Sequence, residues 1–157
     1  MKLSSRSSGW FVLLALALSG CASDGVATLS GSLEQPAVAV NRSALAGDVT
    51  GGFELFLELG EFASGPTEVS LGAFVIERDG VELLPALSLS GATFPVRIAP
   101  KEKKRLALTL DMTADLSVAD AICEGPVSFR GSVTDSLEKN RPTTLTSAET
   151  TPSCTGP

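Results

Sequence analysis

Histidine and tyrosine are absent from the 157 residues, and the only tryptophan, Trp10, lies in an N-terminal apolar run. Without histidine there is no Ser-His-Asp or Cys-His nucleophile system, no His-bearing zinc or copper site and no His-ligated haem. Aromatic residues make up only 5% of the chain, which disfavours the stacking platforms on which sugar sites lean. No G-x-G phosphate loop, no G-x-S-x-G nucleophile elbow and no C-x-x-C pair occurs. What is present is a globular composition, 43% hydrophobic and 19% charged, in a length that suits one domain with a core of its own. The net charge of −6 argues against a nucleic-acid partner.

The N-terminus has the three parts of a secretory signal. Lys2 and Arg6 give a positive start, and the apolar run from Trp10 to Leu18 spans only about half the hydrocarbon thickness of a bilayer as a helix. Leu18-Ser19-Gly20-Cys21 follows directly. These features together resemble the lipobox signal of bacterial lipoproteins, which implies cleavage before Cys21 and lipidation of that residue. Several acyl chains then hold the protein to a membrane that it does not span. Ala22 after the cysteine, rather than Asp, implies by the same resemblance the outer membrane of the cell envelope. Loss of Lys2 and Arg6 leaves ten basic residues against 18 acidic ones, a net charge of −8. Membrane binding is therefore expected from lipid and not from bulk charge.

Three segments are expected: a signal peptide at 1–20, a lipidated N-terminus and flexible tether at 21–36, and a single domain at 37–157. In the domain, Phe53, Leu55, Leu57 and Leu59 alternate with more polar neighbours, the period of a half-buried strand. Val69, Leu71 and Ala73–Ile76 make a second strand with Gly72 as a bulge, and Asp79-Gly80 marks a hairpin. Phe94, Val96 and Ile98 alternate, as do Leu106, Leu108, Leu110 and Met112, with Lys101–Arg105 read as the turn between them. Val127, Phe129 and Val133 form a further strand, and Thr143–Glu149 is β-branched and polar. Only Asp115–Cys123 suits a short helix, capped by Asp115 and stopped by Gly125. About seven or eight strands, each with one apolar face, predict an all-β, antiparallel, immunoglobulin-like β-sandwich.

Three cysteines leave an odd thiol in an exported protein. With Cys21 lipidated, Cys123 and Cys154 remain as a pair. A hairpin of residues 126–134 and 143–150 about the turn at 136–140 sets these two opposite each other at its base, within bridging reach.

Candidate chemistry is sparse, and no cofactor is expected. Ser136-Leu137-Glu138-Lys139 matches the S-x-x-K of penicillin-binding proteins and serine β-lactamases, yet lacks their S-D-N and K-T-G companions and falls in a turn. Asp111, Asp115, Asp120 and Glu124 crowd one region, but their spacing fits no EF-hand. Lys101, Lys103, Lys104 and Arg105 form the one cationic cluster, suited to guarding a strand edge or touching an anionic surface. Thr143–Thr146 is a candidate edge strand for a partner. The expectation is a non-catalytic binding, assembly or structural module with a protein partner in the envelope. The alternatives are a small enzyme or inhibitor using carboxylate, Ser or Lys groups, and a carrier of a small apolar ligand.

Overall fold

The structure, a computed structural model, describes residues 29–138 and 141–156. The signal peptide, Cys21, the first part of the tether and Lys139 lie outside the described residues. Within them the chain runs β1 (Leu29–Arg42), β2 (Ala46–Leu59), β3 (Thr67–Arg78), β4 (Val81–Leu84), β5 (Leu89–Ser90), β6 (Val96–Ile98), β7 (Lys103–Asp115), α1 (Leu116–Cys123), β8 (Ser128–Asp135), β9 (Thr143–Thr146) and β10 (Ser153–Thr155).

Two sheets form, ordered β10-β1-β2-β7-β5 and β4-β3-β8-β9, with β6 paired to one end of β3. Lettering the strands in chain order, with β6 and β10 set aside, makes β1-β2-β7-β5 the A-B-E-D sheet and β4-β3-β8-β9 the C′-C-F-G sheet. That is the strand order of immunoglobulin-like sandwiches, and the all-β architecture expected from the sequence is the one found. Two details differ. The strand count rises to ten among the described residues because β5 and β6 are fragments of two and three residues. The pairing of β1 with β10 is parallel, which joins the first and last strands in one sheet.

Alternation produces the core. Phe53, Leu55, Leu57 and Leu59 of β2 are all buried, with Leu108 and Leu110 of β7 beside them and Val69, Phe74, Ile76, Phe129 and Val133 facing them from the other sheet. The register of β3 against β8 shifts between Leu71 and Phe74, where the bulge was expected at Gly72. Asp79 and Gly80 both take left-handed φ, 51° and 78°, the geometry of a type I′ hairpin turn.

Two boundaries are corrected. Residues 29–36, read from sequence as tether, belong to β1 and pair with β2 from Leu29↔Leu59 onward. Leu29 and Leu33 are buried, and each such side chain contributes about 1.5–3 kcal/mol on leaving water, enough to hold the segment on the sheet. The intervening serines and Gly31 mask this alternation, and a register shift between Glu34 and Ala37 ends it, with Gln35 at φ 50°. The basic segment is likewise not all turn: Lys103, Lys104 and Arg105 open β7 and pair with Glu58, Leu57 and Phe56. The helix forms where expected and stops before Gly125, with Glu124 as its C-cap, but Asp115 makes no side-chain cap bond.

Three rings join the sheets. Phe53 on β2 stacks on Phe74 of β3 at 5.4 Å between centroids, and tilts against Phe129 of β8 at 4.9 Å. Strands B, C and F are where immunoglobulin domains place the Cys, Trp and Cys of their central pin. Phe74 can lie flat over its cross-strand neighbour because that residue is Gly131, where an added Cβ would come within 2.2 Å of the Phe74 ring. We expect Gly131→Val to lower the unfolding free energy by about 1–3 kcal/mol through this overpacking. Urea denaturation followed by far-ultraviolet circular dichroism measures it, and an unchanged midpoint would contradict the packing.

Candidate functional site

The two cysteines that sequence pairs are bonded, with Cα atoms 6.1 Å apart. Their setting differs from a hairpin base. The β8–β9 hairpin closes with the bridge Val127↔Thr150, after which the chain crosses to the other sheet. Cys123 ends α1, and Cys154 sits at the centre of β10, opposite Val40 of β1. A three-residue parallel strand is a weak element by itself. The disulfide ties it to the helix.

Arg78 holds the other side of that helix end. Its guanidinium donates to the carbonyls of Ala121 (2.6 Å), Ile122 and Gly125 (both 3.1 Å) and, through Nε, Pro126 (3.2 Å). It thereby satisfies carbonyls that a helix C-terminus leaves free. Sequence reading gave Arg78 no role, since its partners are more than forty residues away.

The four carboxylates around α1 are not brought together. Asp120 pairs with Arg42 and Glu124 with Arg78, each at 3.3 Å, while Asp111 and Asp115 are exposed on β7. Among the described residues no group of three or more Cys, Asp or Glu side chains is placed to hold a metal ion.

The S-x-x-K serine is committed to structure. Ser136 Oγ accepts from the backbone N–H of Glu68 at 3.0 Å and shares a hydrogen bond with Thr67 Oγ1 at 3.1 Å. Beside it, buried Asp135 accepts from the N–H groups of Leu137 and Glu138, an Asx turn that shapes the start of the loop.

The cationic cluster is paired throughout. Lys101 meets Glu61 at 3.4 Å, Lys103 meets Glu58 at 3.3 Å, Lys104 meets Glu102 at 3.5 Å, and Arg105 meets Glu34 at 2.9 Å and Glu54 at 3.3 Å. Arg105 also covers the Phe56 ring, 5.5 Å from its centroid. The Ala99 N–H donates to Glu102 and, helped by Lys104, holds that carboxyl below its ordinary pKa. Its contribution to the turn is thus present above the ordinary carboxylate range and is lost as pH falls through the lowered value. On the outer face of the second sheet, Arg130 donates hydrogen bonds to the carboxylates of Glu77 and Glu82, which raise its pKa, Glu77 the more. These pairs are cross-strand ladders and turn contacts, and they occupy every member of the basic run.

Two surface features remain. The first is β9, the end strand of its sheet, with Leu145 turned inward and Thr144 and Thr146 outward. The second is one end of the sandwich. Leu29 pairs with Leu59, and Gly60–Ala63 then closes a turn by an Ala63 N–H bond to the Gly60 carbonyl. Phe62 at its tip is 76% exposed. The turn before β7 is tied to the same end by the Lys101 N–H bond to the Leu59 carbonyl, and Leu137 follows β8 there, 37% exposed. Sequence reading passed over Phe62, although an aromatic set among Gly, Ser and Pro, outside any alternation, is itself a signal of exposure.

Comparison with family models, curated proteins and solved structures finds no match for this chain.

Replacing Cys123 and Cys154 together by Ser should leave an all-β domain that is about 3–4 kcal/mol less stable, from the loop of 31 residues released, with fast amide exchange at residues 153–155. Protection of those amides equal to the parent would contradict the role given to the bond. Millimolar calcium should leave the melting temperature unchanged, because the acidic side chains are dispersed and two of them are held in ion pairs. A rise of several degrees would show that they converge on the ion.

Proposed function

We propose that the chain is a lipoprotein of the bacterial cell envelope, anchored through acylated Cys21 and acting as a non-catalytic binding, assembly or structural module. The observation that carries this reading is the thiol count. The Cys123–Cys154 bond uses two of three cysteines, and the third stands directly after Leu18-Ser19-Gly20, behind a charged start and an apolar run. A disulfide in a chain with such an N-terminus fits an oxidising, extracytoplasmic compartment.

A non-catalytic role is supported by how the reactive groups are used. The Ser136 hydroxyl, the basic run and two of the four clustered carboxylates serve turns, strand ladders and a helix end. Ala22 at the position after the anchor favours the outer membrane. For a protein partner the sandwich offers the open edge of β9, to which an extended segment can add as a further strand. The excess of acidic residues argues against nucleic acid as that partner.

Growth on labelled palmitate tests the anchor. The parent protein should carry label and sediment with membranes, whereas Cys21→Ala should carry none and leave the membrane fraction. Equal labelling of the two proteins, or an unlabelled parent, would rule the anchor out.

A further inference from the structure

We propose that the sandwich stands upright on the bilayer, with the end that carries Phe62 against the lipid and the Phe62 ring at the boundary between headgroups and acyl chains. The proposal rests on the anchor at Cys21.

The length of chain between anchor and sheet selects the end. With β1 beginning at Leu29, seven residues separate it from Cys21, half the tether read from sequence. Fully extended, the steps from Cys21 to Leu29 reach at most about 26–29 Å. The fourteen residues of β1 cover about 43 Å at roughly 3.3 Å per residue, so the far end of the sandwich cannot turn to the membrane on this leash. Only the end at Leu29 and the flanks are within reach.

Charge separates these. The outer face of the β1-β2-β7 sheet carries Glu34, Asp48, Glu54 and Glu58 with their cross-strand partners, groups that lose hydration against acyl chains. The far end holds Asp79, Asp115, Asp120, Glu124 and Glu149 against Arg42 and Arg78, an acidic excess that an anionic headgroup layer repels. At the near end Lys101 pairs with Glu61 and Lys104 with Glu102, and Arg141 stands against Asp135 and Glu138, a smaller acidic excess than at the far end.

Both ends expose apolar side chains, Leu45 and Val81 at the far end and Phe62 and Leu137 at the near one, but only the near pair lies within the leash's reach, and only it includes an aromatic ring. Phe62 has no structural task in its turn, being 76% exposed, and Leu137 from the loop after β8 is 37% exposed at the same end. A ring on a turn tip needs no backbone rearrangement to enter the interfacial layer, and neither of the turn's backbone partners is disturbed. In this posture the disulfide, α1 and the C-terminal strand face away from the membrane.

Trp10 is the chain's only tryptophan and leaves with the signal peptide, so Phe62→Trp installs a single fluorophore at the contact. Leu45→Trp does the same on the exposed turn between β1 and β2, at the opposite end. Both full-length proteins are purified from membranes and reconstituted into phosphatidylethanolamine–phosphatidylglycerol vesicles with and without lipids brominated near the headgroup. Acylation of the same samples is read by partition into a detergent phase. The indole of the Phe62→Trp protein should shift to the blue on reconstitution and lose most of its intensity to brominated lipid. That of the Leu45→Trp protein should respond to aqueous acrylamide alone. Acylated Phe62→Trp protein whose fluorescence ignores brominated lipid overturns the upright posture and leaves the anchor standing. Protein that fails to partition into detergent overturns both.

Discussion

The contact of Phe53 with Phe74 and Phe129 is what makes two sheets into one domain. Each sheet has a single apolar face, and an immunoglobulin-like sandwich must register those faces at its centre without help from its loops. Here the registering element is aromatic: strands B, C and F each contribute one ring, and Gly131 clears the space in which the Phe74 ring lies. Truncating such a ring costs about 3–5 kcal/mol, a large fraction of the stability of a domain this size. The disulfide is thereby free to leave the centre. It stands at the periphery, where it secures β10 and the end of α1.

This division of labour gives the domain two unlike ends. The chain enters at Leu29, at the end with the Phe62 turn and the loop after β8, and finishes at the opposite end beside Arg42 and the helix. Arg78, packed against the helix C-terminus, and the Cys123–Cys154 bond make the far end the more cross-linked of the two. The lipid proposed at Cys21 would turn that asymmetry into an orientation, because seven intervening residues limit which end can meet a bilayer.

Much of this was legible in the sequence, for identifiable reasons. Strands with strict alternation, such as Phe53–Leu59, announce themselves, and the Asp79-Gly80 hairpin follows from the conformations those residues tolerate. The cysteine pair was legible as well, although its setting across two sheets was not, since the crossover after Thr150 leaves no local mark. Strand β1 hid its first half because Ser30, Gly31 and Ser32 have no apolar contrast to offer. Only Leu29 and Leu33 of this half are buried, and the inward position between them is Gly31, half-buried under Leu145 of β9. Arg78 and the phenylalanine cluster escaped because each is defined by partners that only the fold supplies. Phe62 was visible, but exposure acquires meaning only when the turn is placed beside the entry of the chain.

The proposed anchoring and the proposed posture both depend on cleavage before Cys21 and acylation of that residue. Intact-mass measurement of protein extracted from membranes under non-reducing conditions tests this processing most directly. The expected result is a chain beginning at Cys21, heavier than its sequence by the mass of the attached lipid, with Cys123 and Cys154 as one disulfide. A mature chain of unmodified mass, or one that begins at another residue and carries a free Cys21 thiol, would contradict it.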